Sequence, residues 1–149
     1  MSTENMTTTI DALPDKEIGS GASAEAVQAV EQTLGVEFPN DYDAFLRRYG
    51  WARLMYDELY GIGDSVPEHL NLITNTVRER TDFRPYMPKY LVPVLADGAG
   101  NHYCLDLSKA DSGACPVVFW DHDEGETQTP KVIGSSFSDW IVEHVTEQA

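Results

Sequence analysis

Between residues 23 and 50 the apolar positions recur at helical spacing: Val27, Val30 and Leu34, then Tyr42, Phe45, Leu46 and Tyr49. Ser23 is a good N-cap for the first helix, Glu25 in its first turn suits the helix dipole, and Gly35 supplies the stop. After the connector "VEF", Pro39 starts a second helix and Gly50 ends it. Both helices are short and one-sided, so each covers something else. From Trp51 to Ile62, bulky Leu54, Met55, Leu59 and Tyr60 fall among charges, which predicts one short strand or an irregular segment. A third helix is predicted to open at Pro67, with Leu70, Ile73 and Val77 as its apolar positions and Leu72 on the flank, and to stop before Pro85.

The second half changes period. "YLVPVLADGAGNHYCLDL" predicts two strands around a glycine-rich turn, and "CPVVFWD" a third. The closing "SSFSDWIVEHV" returns to helical spacing, with Phe137, Trp140, Ile141 and His144 on one face and Ser135 or Ser136 as cap. Helices, a strand meander and a final helix predict an α+β fold, a mostly antiparallel sheet with helices packed against it. Residues 1–12 are polar and threonine-rich and read as a flexible tail, leaving 13–149 as one domain.

Composition narrows the function classes. A chain of 149 residues suits one compact domain that needs no disulfide or metal. No apolar run approaches the roughly 20 residues of a membrane span, and the N-terminus lacks the basic and apolar segments of a secretory signal, so a soluble, cytoplasmic protein is expected. Twenty-five acidic against ten basic side chains give a net charge of −15 and a pI near 4.4. That field disfavours nucleic acid and anionic membrane and speeds encounter with a basic partner, although on charge alone solubility or a salty cytoplasm is the favoured account. Cys104 and Cys115 fit neither zinc nor CxxC spacing and read as free thiols, with a disulfide conceivable if they fall on adjacent strands.

Several stretches invite a chemical reading. In "LADGAGNHYCLDL", Gly98 and Gly100 supply positive φ while Asp97 and Asn101 favour turns, so the segment is a hairpin; a phosphate loop would need GxxxxGK[ST] leading into a helix. His102, Cys104 and Asp106 alternate and share one strand face, but Cys packs as a small hydrophobe and Asp106 suits a cap of the following turn. "WDHDEGE" crowds Asp121, His122, Asp123, Glu124 and Glu126 into one loop that lacks the calcium-loop pattern and holds a lone histidine, so a solvated acidic turn is expected, and no metal or cofactor. Asp57 and Glu58 show no partner histidine in the sequence and carry no specific acid/base signal. Trp51 and Tyr56 are candidate interface anchors.

"VEQTLGVEFPNDYDAFLRRYG" resembles the signature of the SUKH superfamily, the Smi/Knr-like proteins, through Glu31, Leu34, Gly35, Pro39, Asp41, Tyr42, Phe45, Leu46 and Gly50. The second half is similar to the same family at Pro93, Val94, Gly98, Gly100, Tyr103, Leu105, Asp106, Pro116, Val117, Trp120, Ser136, Phe137 and Trp140, so the match runs from about Ser23 to Val145. Phe38 before Pro39, Tyr49 before Gly50 and Trp51 after it depart from the pattern. The resemblance implies a SUKH-like α+β domain in which Leu34, Pro39, Tyr42, Gly50, Gly100, Asp106, Trp120, Phe137 and Trp140 serve structure. It also implies a non-enzymatic immunity protein that neutralises a cognate polymorphic or contact-dependent toxin domain by stoichiometric binding. The alternative is a regulatory or scaffolding domain of the Smi/Knr type. With the acidic charge added, the expected partner is a basic protein such as a nuclease domain, met through Asp57, Glu58, Asp121, Asp123, Glu124 and Glu126. The free protein is expected to be a monomer.

Overall fold

The structure is a computed structural model describing residues 3–148. Its helices are α1 (Thr3–Ala12), α2 (Ala24–Leu34), α3 (Asn40–Arg48), α4 (Leu72–Thr81) and α5 (Phe137–Gln148). Its strands are β1 (Lys16–Ile18), β2 (Ala52–Leu54), β3 (Asp57–Leu59), β4 (Leu91–Ala96), β5 (His102–Asp106), β6 (Val117–Trp120) and β7 (Lys131–Gly134). The strands form one sheet in chain order, and every neighbouring pair is antiparallel. The α+β expectation of helices against an antiparallel sheet holds.

The first two helices form where the pattern places them. Ser23 Oγ accepts from the Ala26 amide at the N-terminus of α2, and Gly35 adopts the left-handed conformation at its end. Tyr42, Phe45 and Leu46 are buried on α3. Two signature acids have structural jobs. Glu31 Oε2 accepts the Phe38 amide at 2.7 Å, which fixes the α2–α3 connection. Asp41 is buried and accepts the Ser138 amide at 2.8 Å, so a carboxylate of α3 caps the start of α5 and sits at the favourable end of its dipole.

α5 brings Phe137 against Tyr42 and Phe45, with ring centroids 5.0 and 5.4 Å apart, and Trp140 over Tyr103 of β5 at 5.4 Å. Edge-on and tilted contacts of this kind add about 0.5–1.5 kcal/mol per pair beyond burial. Gly50 closes α3 at φ 76°, where a Cβ would stand 2.7 Å from the Ile62 carbonyl oxygen, so the turn leaves no room for a side chain.

Four expectations need correction. Apart from residues 1–2, which lie outside the described residues, the supposed tail is helix α1, with Met6 and Ile10 fully buried. Burying each is worth about 1.5–3 kcal/mol. The helix is also tied to α3, because Asp11 accepts from Arg48 at 2.6 Å and from the Tyr49 hydroxyl at 2.8 Å. Residues 51–62 hold two strands rather than one, joined by a two-residue turn at Met55–Tyr56 with Met55 at φ 60°. The third helix starts later than Pro67: Glu68–Leu70 is a 3₁₀ turn, and α4 begins at Leu72 with Asn71 Oδ1 accepting from the Thr74 amide. The shift rotates the buried stripe, so Leu72 and Thr76 are inside while Val77 is exposed. Finally, β1 and β7 were not foreseen; as three- and four-residue edge strands they give little alternation to read.

Candidate partner-binding site

Antiparallel register decides which acidic residues meet. Leu59 pairs with Leu95, Ala96 with His102, and His102 with Trp120. The start of β3, the β4–β5 turn and the loop after β6 therefore emerge at the same end of the sheet. Asp57 and Glu58, Asp97, and Asp121 to Glu126 form one acidic rim there, although more than sixty positions separate its ends in sequence.

The β4–β5 turn is the hairpin expected of "LADGAGNHYCLDL". Asp97 Oδ1 accepts the amides of Ala99 and Asn101 at 2.8 and 3.0 Å, and its Oδ2 accepts from the Asn101 side chain. Burial opposes the charge, but these bonds outweigh it and hold Asp97 below the usual carboxylate range. Gly100 has φ 95°, and a Cβ there would meet the His122 ring at 3.0 Å, so this glycine lets the next loop pack onto the turn. Asn101 Oδ1 receives the His122 amide at 3.0 Å and lies 2.7 Å from His122 Nδ1.

The loop after β6 is ordered by its own polar bonds. Asp121 Oδ1 accepts the Asp123 amide, and the Gln128 side chain accepts from the Asp121 amide while donating to the Asp121 and Gly125 carbonyls. Asp123, Glu124 and Glu126 are exposed, whereas Asp121 is half-buried and holds the loop's shape. Ligand atoms of Asp121, His122 and Asp123 fall within 4.8 Å of one another. The turn and the contact of His122 Nε2 with Asp123, 3.4 Å, account for that convergence.

Asp57 and Glu58 each gain a histidine that the sequence did not reveal. They point to opposite faces of β3, as neighbours on a strand must. Asp57 Oδ2 is 2.9 Å from His144 Nε2 of α5 and is hydrogen-bonded by Gln148, which fastens the last helix to the sheet. Burial opposes ionisation of Asp57, but His144 and Gln148 prevail and its pKa lies below the ordinary value. Glu58 lies 3.1 Å from His69 Nε2 and stays exposed. Beside it a groove of about 330 Å³ opens between the β2–β3 turn, the 3₁₀ turn and the β4–β5 turn.

Behind this rim, the face of β5 carrying His102, Cys104 and Asp106 is buried throughout. His102 Nε2 meets the Tyr60 hydroxyl at 3.2 Å, and its Nδ1 lies 3.8 Å from Glu79 of α4 without a hydrogen bond. Burial pushes His102 down to about 4 against the attraction of Asp97, so the ring is neutral at pH 7. Burial raises Glu79 as well. Cys104 packs among Met87, Leu91, Val118 and Trp120, and its Sγ faces Met87 Sδ at 3.9 Å. Its thiol is pushed far up by burial and that of Cys115 up to about 12; both are free. Among the described residues, neither cysteine pairs with a histidine side chain. Asp106 does cap the next turn, accepting from the Ser108 amide and hydroxyl.

A sequential antiparallel meander clasped by helices, with titratable side chains gathered at one end, defines an α+β domain whose distinctive surface is a rim of carboxylates. The chain belongs to the SMI1 / KNR4 family (SUKH-1), which it matches over residues 21–143. It is 25% identical to the SPbeta prophage-derived uncharacterized protein YokK of Bacillus subtilis (strain 168), over 83% of this chain and 74% of that one. A crystal structure of a protein from Pseudomonas syringae pv. tomato has the same fold, with a TM-score of 0.64 at 17% identity over 93% of this chain and 94% of that one. Among the described residues, no helix is long and apolar enough to cross a membrane.

Proposed function

We propose that this protein is a cytoplasmic immunity protein that neutralises a cognate toxin domain by one-to-one binding, with the acidic rim seated on a basic surface such as the nucleic-acid groove of a nuclease. Membership of the SUKH-1 family supports the class. The observation that carries the partner's chemistry is the convergence of Glu58, Asp97, Asp123, Glu124 and Glu126 at one end of a chain with net charge −15. Inhibition by occupancy rather than turnover agrees with the two buried, un-ionised thiols and with a neutral His102 enclosed behind the rim. Of the six candidate contacts, Glu58, Asp123, Glu124 and Glu126 present exposed carboxylates; Asp57 and Asp121 act inward, as a helix latch and a loop brace.

Co-expression in a susceptible host with the toxin domain of a neighbouring secreted protein tests the class, and calorimetry of the purified pair tests the mode. Rescue with tight one-to-one binding that weakens as salt rises is the expected result. Neither rescue nor binding would turn the assignment to a Smi/Knr-type scaffold. Reversing Asp123, Glu124 and Glu126 together to Lys should weaken binding about a hundredfold or more at low salt; unchanged affinity would remove this loop from the interface.

A further inference from the structure

The groove beside Glu58 differs from the rest of the rim because it is partly aromatic. Tyr56, at the tip of the β2–β3 hairpin, is 89% exposed and forms one lip. The ring of Tyr60 lies inside, almost fully buried, with its hydroxyl turned away to His102. Glu58 and Asp97 supply charge from two sides, and His69 supports Glu58 from the third.

Among the described residues, no arginine lines this groove. Arg53 stands opposite Glu58 in the β2–β3 register, but its guanidinium donates to Glu17, Asp15 and the Met55 carbonyl. Arg78, Arg80 and Arg84 do not line the groove either.

We propose that the groove between Tyr56, Glu58 and Asp97 is a seat for one arginine side chain of the basic partner, its guanidinium stacked on Tyr56 and donating to the Glu58 carboxylate oxygen that His69 leaves free. The proposal rests on the reading of the partner as a basic protein and adds the chemistry of one contact. A planar guanidinium can meet a ring face and a carboxylate at once, whereas the compact ammonium of lysine has no flat surface to stack and is more strongly hydrated. The groove suits a small hard cation poorly, because Asp97 already accepts three hydrogen bonds within its own turn and too few carboxylate oxygens remain for the six or more ligands such an ion takes. Nucleic acid and anionic lipid are repelled by the same carboxylates. Arginine is also the side chain that most often combines charge with aromatic contact at the energetic centre of an interface.

The test has two arms. In the first, the ¹⁵N-labelled full chain is titrated with L-argininamide, and separately with L-lysinamide, at low salt. Saturable shifts confined to residues 56–61, 69 and 96–98 are expected, with argininamide binding about three times tighter or better and with Tyr56→Ala and Glu58→Gln each weakening it about fivefold. Both changes are at exposed side chains, so amide spectra otherwise like the parent's are expected of the variants. Shifts that do not saturate, that are equal for the two probes, that spread evenly to residues 121–126, or that survive both substitutions would each overturn the seat.

The second arm uses the toxin pair. Tyr56→Ala should lower affinity about tenfold or more while wild-type protein rescues growth. Rescue by the wild type with unchanged affinity of Tyr56→Ala rejects the seat and leaves the immunity assignment standing. Failure of the wild type to rescue rejects that assignment, and the argininamide titration then decides the seat by itself.

Discussion

The two faces of β5 show how differently one strand can be used. Tyr103 and Leu105 face α5 and join the large core in which Tyr42, Phe45, Phe137 and Trp140 pack ring against ring. His102 and Cys104 face the other way, onto a small cluster of Met87, Leu91, Val118 and Trp120 and toward Glu79 of α4. The first face is apolar and redundant in its contacts. The second is thin and encloses polar groups whose charge states depend on burial. Stability therefore concentrates on one face, while the enclosed His102 and its neighbour Glu79 sit on the other, directly behind the acidic rim.

The largest expected effect breaks the packed face. Phe137→Ala should cost about 3–5 kcal/mol in urea unfolding, since a fully buried ring at the junction of α3 and α5 leaves a cavity. Cys104→Ala, on the thin face, should cost about 1 kcal/mol. Equal losses would show that the two faces share the load.

Next comes pH. His102 has a folded pKa of about 4, below its ordinary value of 6.5, so the unfolded chain binds the proton more readily between those values. Its contribution to stability is present above pH 6.5 and is lost as pH falls through about 4, a loss of about 3 kcal/mol. Burial raises Glu79 and works in the opposite sense, so the informative quantity is the difference between wild type and His102→Gln. The variant should show a flatter stability profile from pH 6.5 to 4. Parallel profiles would mean that water reaches the ring.

A smaller change concerns the latch that ties α5 to β3. Asp57→Asn should cost about 1–2 kcal/mol at pH 7, because it weakens the hold on His144 and Gln148. The Asp57 pKa is lowered, so its contribution is present above the ordinary 3.8 and disappears as pH falls below it. A double-mutant cycle with His144→Ala should give a clear coupling; additivity would mean that the latch carries no load.

The smallest effect on folding is expected at Tyr56, the exposed tip of the β2–β3 hairpin. Tyr56→Ala should move stability by no more than about 0.5 kcal/mol. A larger loss would make Tyr56 part of the scaffold and not of the recognition surface.

Local signals were strong in α2, α3, α5 and the β4–β5 hairpin. There, caps, glycines and an apolar period all point to the same structure, and each acts within a few residues. The β2–β3 turn was not legible because Met55–Tyr56 carries none of the Asn, Asp or Gly that normally mark a two-residue hairpin. Helix α1 was missed because Met6 and Ile10 are too few to signal a helix; they are buried only because the rest of the fold, α5 and α3 included, receives them, and Asp11 meets Arg48 and Tyr49 only then. At the site, acidic composition and the two candidate stretches were visible, but their meeting at one end was not, nor were the histidines that sort Asp57 and Glu58 into inward and outward roles.

The sequence by itself determined the α+β class, helices α2, α3 and α5, the central hairpin and the sign of the surface charge, since these follow from short-range spacing and composition. Only the tertiary structure decided which carboxylates are neighbours, which are spent on holding the fold and where a groove opens among them. Those outcomes depend on strand register and helix docking, which join residues far apart in the chain and leave no periodic trace within either segment.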